Sequence, residues 1–116
     1  MNIFTNVSNN FEKNYSHNVR FNRKELNSIL TVYGRMVALG EWRDYGISML
    51  KDVSIFSIYK NTSECPIILI KKNPKLLKKQ GIYSIIAMDG QILKRGNDLN
   101  RVLNLFATKL IKMVKS

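Results

Sequence analysis

This chain predicts an α+β domain: a largely antiparallel five-stranded sheet with an N-terminal and a C-terminal helix packed on one face. Three observations carry that expectation. Helical periodicity brackets the sequence at both ends, five short β-forming runs lie between, and Asp89-Gly90 is a strong hairpin signal. A short lysine-rich helix is expected between the third and fourth strands.

The first helix begins at a capping box. Asn22 stands three residues before Glu25, so its side chain can accept from the Glu25 amide while the carboxylate reaches back. Leu26, Ile29, Leu30, Tyr33 and Val37 then recur at helical steps, and Gly40 is placed to end the run in the left-handed conformation. Gly34 inside this helix costs about 1 kcal/mol relative to Ala, and the expected return is a close crossing with the sheet.

Strands follow. Tyr45 to Leu50 and Val53 to Tyr59 flank a Lys51-Asp52 turn and read as a hairpin. After the polar loop Asn61 to Glu64, Pro66 to Ile70 forms the third strand, with Pro66 tolerated at its start. Ile82 to Met88 and Gln91 to Lys94 are the fourth and fifth, joined at Asp89-Gly90. Between strands three and four, Asn73 can cap, Pro74 suits the first helical position and Gly81 terminates, which predicts a helix of about two turns. The last helix opens at Asp98 and buries Leu99, Val102, Leu103, Phe106, Ala107, Leu110, Ile111 and Val114 along one face. The third and fourth strands are apolar on both sides, so the face away from the helices is expected to meet a second copy or a partner.

At 116 residues the chain has the length of one domain. Residues 1–20 are polar and aperiodic and read as a flexible tail; residues 21–116 form the domain. Cys65 is the only cysteine, which excludes an internal disulfide and points to a reducing, cytoplasmic setting. No secretory signal is legible near the start, and no apolar run approaches the roughly 20 residues of a membrane span, so no membrane partner is expected.

Charge is the strongest functional clue. The net charge is +11, and it is unevenly spread: from residue 66 onward eleven Lys and Arg face two acids, against eight and six before it. A one-sided field attracts polyanions without selecting among them. Asn, Ile and Lys are all abundant, and adenine- and thymine-rich codons are an alternative source of the lysine excess.

Several stretches are distinctive enough to suggest kinship. Phe21 to Leu30, Tyr33-Gly34-Arg35-Met36-Val37, Gly40 to Tyr45, and Ile92 to Leu99 with Arg101-Val102-Leu103 resemble a small alphaproteobacterial family catalogued as domain of unknown function 2794. The resemblance covers roughly Phe21 to Leu110. It implies a bacterial cytoplasmic protein and supplies no catalytic or ligand residues.

The candidate polyanion-binding residues are Lys71, Lys72, Lys75, Lys78, Lys79, Lys94 and Arg95, which would contact phosphates of nucleic acid or a ribonucleoprotein. The structural account of the same residues is a solvated turn that keeps the sheet soluble, with Asp98 simply capping the last helix. Trp42, Arg43 and Tyr45 are candidate partner-binding residues; their structural alternative is a helix-to-strand corner closed by Trp42. Under the competing reading the protein is an interaction or homodimerising domain whose lysines serve solubility only. No enzyme is expected: His17 is the only histidine and lies in the tail, and Glu41, Asp44, Asp52 and Glu64 show no catalytic spacing. No cofactor or metal site is expected either.

Overall fold

A computed structural model describes residues 18–61, 65–77 and 79–115. Lys78, the tail through His17, the 62–64 part of the loop with Glu64, and the side chain of Val114 lie outside the described residues. The elements are α1 (Arg23–Ala38), β1 (Asp44–Met49), β2 (Ser54–Tyr59), β3 (Ile68–Lys72), a 3-10 turn (Pro74–Leu76), β4 (Tyr83–Ala87), β5 (Ile92–Gly96) and α2 (Leu99–Lys115). The strands form one sheet in the order β1-β2-β3-β4-β5, every neighbour antiparallel. This is the expected α+β fold.

Local chemistry fixes the helix ends. The Asn22 side chain accepts from the Glu25 amide at 2.8 Å and Glu25 Oε1 accepts from the Asn22 amide at 2.7 Å. Phe21 and Leu26, the residues that flank this cap, join the same apolar cluster. At the other end the Gly40 amide donates to Val37 and the Glu41 amide to Met36, both at 2.9 Å, with Gly40 at φ 78°. These bonds are those of a Schellman motif, which satisfies two carbonyls the helix would otherwise leave open. Asp98 caps α2 through the Arg101 amide at 3.3 Å.

Alternation along the strands decides what each face holds. Ser54, Phe56 and Ile58 of β2, Ile68 and Ile70 of β3, and Ile85 of β4 point to the helices and are buried with Ile29, Val32 and Met36 of α1 and Leu99, Val102, Leu103, Phe106 and Ala107 of α2. Ile55, Ser57, Leu69, Lys71, Ser84, Ile86, Ile92 and Arg95 point the other way, onto a face neither helix covers.

Several expectations are corrected. The buried stripe of α1 is Glu25, Ile29, Val32 and Met36, whereas Leu30 and Val37 are exposed, so the helix is rotated from the face its apolar spacing marks. Gly34 marks no crossing: a methyl group there would touch nothing within 4 Å. The lysine segment makes a single 3-10 turn, not two α-helical turns, because the Leu76 carbonyl gathers the Lys79, Gln80 and Gly81 amides and closes the chain back. Strand β3 starts two residues later than expected and extends to Lys72. The β4–β5 loop has three residues, Met88 to Gly90, with only Gly90 at positive φ, so it is a turn with a following bulge instead of a two-residue hairpin. Just before α1 the Val19 amide donates to Leu50 at 2.9 Å, and the Ser54 hydroxyl donates to the Val19 carbonyl at 2.8 Å.

Candidate anion-binding face

The expected cationic cluster is divided by the pleat. Lys71 and Lys72 are consecutive in β3, and Lys94 and Arg95 in β5, so each pair sends its members to opposite faces. Lys71 and Arg95 stand on the uncovered face. Lys72 points to the helix side and is held there by Glu25, while Lys94 sits opposite Ile85 on that same side. Lys75 is exposed and pairs with Asp52 at 2.8 Å, which with its charge holds the Asp52 carboxyl below the ordinary range. Lys79 is exposed at the end of the turn. The notion that these cations share one surface is therefore corrected for Lys72 and Lys94; contiguity in a strand sequence is separation in space.

What the sheet does assemble is a row. Lys71 pairs in register with Ser84, and Ser84 with Arg95, so the three sit side by side on adjacent strands of the uncovered face. Adjacent strands lie about 4.8 Å apart, which places the two cation-bearing backbones about 10 Å from each other with a hydroxyl between them. Lys71, Ser84 and Arg95 line one cleft of about 140 Å³ together with Leu76, Gln80, Gly81, Ile86 and Ile92. No carboxylate lines it, and among the described residues neither Lys71 nor Arg95 has an ion-pair partner. Asp98 is occupied at the helix cap and Asp89 accepts from the Gln91 amide in its turn.

The rim of the cleft is fixed by two long-range contacts that no local sequence pattern marks. Asn97 accepts from the Ile82 amide at 2.8 Å and donates to the Leu77 carbonyl at 3.1 Å, tying the lysine turn to the β5–α2 junction. Gly81, at φ 97°, lies so close to Gly96 that an added Cβ would stand 2.8 Å from its backbone.

On the opposite face Glu25 is the hub. Its Oε1 accepts from the Lys72 ammonium at 2.7 Å and from the Asn22 amide, and its Oε2 accepts from the Tyr83 hydroxyl. Lys72 also donates to the Arg20 carbonyl at 2.7 Å. Burial pushes the Glu25 carboxyl up, but the hydrogen bonds from Lys72, Tyr83 and Asn22 and the lysine charge outweigh it and leave the pKa below the ordinary value. Tyr83 is pushed up, first by burial and then by the hydrogen bond to Glu25 and its charge. Lys72 is thus a structural lysine that pins β3 and β4 to the start of α1.

Comparison with known proteins adds a family and nothing more specific. The family described as "protein of unknown function (DUF2794)" matches residues 19–103. The chain belongs to this family. No curated protein and no solved structure matches the chain. The segment matched by DUF2794 contains the whole Lys71–Ser84–Arg95 row, the Glu25 hub and the Asn97 clasp, and it stops within α2 at Leu103.

The other candidate cluster of this DUF2794 domain is dispersed. Trp42 is buried, 5% exposed, with its ring 6.4 Å from Phe106 and 6.2 Å from Tyr33, because the reversal at Gly40 turns the chain back under both helices. Its expected role as a contact residue is therefore corrected to a core role. Tyr45 stacks on Phe56 at 4.8 Å along the β1 edge, and Arg43 is exposed, its amide donating to Tyr59. Among the described residues no three His, Cys, Asp or Glu side chains are grouped to hold a metal ion, and no helix is long and apolar enough to cross a membrane.

Proposed function

We propose that this protein is a non-enzymatic cytoplasmic module that binds a polyanion, a nucleic acid or ribonucleoprotein, on the sheet face its helices leave open. The observation that carries this reading is the Lys71–Ser84–Arg95 row, in which two cations without carboxylate partners share one cleft. Like charges lining a partly enclosed site repel, and a phosphate group entering it would offset both while offering several oxygens to the ammonium, the guanidinium and the hydroxyl. The net charge of +11 supplies the longer-range attraction. Cys65 is an exposed free thiol, which suits a reducing compartment.

The test is titration of labelled RNA and DNA at several salt concentrations. Each phosphate contact contributes about 0.7 to the slope of log affinity against log salt for single strands and about 0.9 for duplex. Replacing Lys71 and Arg95 together by Ala should flatten that slope by about 1.4 to 1.8. Arg35→Ala, on α1 and away from the open face, removes a charge as well and serves as the control. Equal losses from Arg35→Ala and Arg95→Ala would mean a diffuse field and no site.

A second reading, assembly with another copy, draws on the aliphatic side chains Ile55, Leu69, Ile86 and Ile92 of the same face. Charge opposes it: face-to-face pairing would bring the cationic rows of two strongly basic chains together. A salt-insensitive dimer in light scattering would favour it over the polyanion reading.

A further inference from the structure

We infer that the open face selects single-stranded over double-stranded nucleic acid; the inference deepens the polyanion reading and rests on it. Its basis is a second row parallel to the first. Register places Ser57, Leu69, Ile86 and Ile92 side by side on β2 to β5, and the cationic row Ile55, Lys71, Ser84, Arg95 beside it on the same strands. In β3 the two rows are two residues apart, from Leu69 to Lys71, which is about 6.7 Å along the strand. A sugar spans an offset of that order between a phosphate and its base. Backbone laid over Lys71, Ser84 and Arg95 would therefore set its bases on Leu69, Ile86 and Ile92.

That arrangement rewards exposed bases. A single strand covers the aliphatic row with apolar base surface, whereas a duplex keeps its bases stacked inside and offers the same row only phosphate and sugar. The cleft discriminates in the same direction. It holds about 140 Å³ behind a rim of Leu76, Gln80 and Gly81, space into which a flexible strand can feed one phosphate group. Asn97 and the Gly81–Gly96 approach hold that rim in place, so a rigid duplex cannot displace it at low cost. The face has few aromatic groups, Tyr59 standing at its edge on β2, so base contact would be aliphatic and tolerant of sequence.

The experiment compares a labelled strand of about twelve nucleotides, within the site sizes of single-strand binders, with the blunt duplex of the same sequence at equal salt. The single strand is expected to bind roughly tenfold tighter or more, and Ile86→Thr with Ile92→Thr to weaken it severalfold, by a larger factor than they weaken the duplex. Circular dichroism shows whether those variants keep the fold; Leu69→Thr is a second variant in the same row should they lose it. Equal affinity for the duplex, or threonine variants that fold and bind the single strand undiminished, would overturn this inference and leave the polyanion reading standing. No binding of either form at low salt would remove both.

Discussion

Glu25→Gln tests how the fold is held together. The carboxylate is 7% exposed and the Lys72 side chain it pairs with is 16% exposed, so the pair is largely shielded from solvent, and the ammonium would keep only the Arg20 carbonyl. Removing one member of a buried pair costs about 3–5 kcal/mol, since the remaining charge has lost its partner. Glutamine keeps an amide oxygen that can still accept from Asn22 or Tyr83, which argues for the lower end, about 3 kcal/mol. For a domain of this size each kcal/mol shifts Tm by about 4–8 °C, so the expected drop is roughly 12–24 °C by calorimetry. Urea denaturation should return the same loss through the midpoint at unchanged slope. Adding Lys72→Met removes the orphaned ammonium and should restore on the order of 1–2 kcal/mol. A single-variant loss below about 1 kcal/mol, or a double variant less stable than Glu25→Gln, would refute the argument that this pair is a buried clamp.

Folding lowers the Glu25 pKa, so its stabilisation is complete above the ordinary value of 4.5 and declines as pH falls through the folded value; Glu25→Gln should flatten that acid limb in denaturation curves measured from pH 6 to pH 2. Gly81→Ala should cost about 1–3 kcal/mol, because its Cβ would meet Gly96 and its φ is 97°, whereas Gly90→Ala, with open space around it, should cost about 1 kcal/mol; thermal melts rank the two. Asn97→Ala leaves the Ile82 amide without its protein acceptor and should cost about 0.5–1.5 kcal/mol, since the bond is exposed and water can take its place, with faster hydrogen exchange at Ile82 as the specific readout. Lys75→Ala should leave Tm unchanged, since the Lys75–Asp52 pair is solvent-exposed at both ends.

Local signals were legible in the sequence and long-range ones were not. The capping box at Asn22, the glycine terminator at Gly40, the Asp98 cap and the five strands all follow from residues within a few positions of one another. The rotation of α1 could not be read that way. Glu25 is polar by composition, yet it is buried because Lys72 and Tyr83 arrive from strands 47 and 58 residues away. The lysine cluster divides for a related reason. Its consecutive cations looked like one surface, but β3 extends through Lys72, and the period of two separates neighbours. Ser84 is not legible because a lone serine in a strand carries no signal until the register sets it between Lys71 and Arg95.

Adjacent lysines 71 and 72 answer to different constraints, and that should be visible wherever the DUF2794 sequence varies. A relative that exchanges Lys72 for an apolar residue should at the same time have given up the acid at position 25, because each is costly without the other. Position 71 should drift independently of both and follow position 95 instead. An insertion or deletion of one residue within β3 would swap the two roles, placing the surface cation in the interior and the anchoring one outside. Such length changes should be missing from that strand.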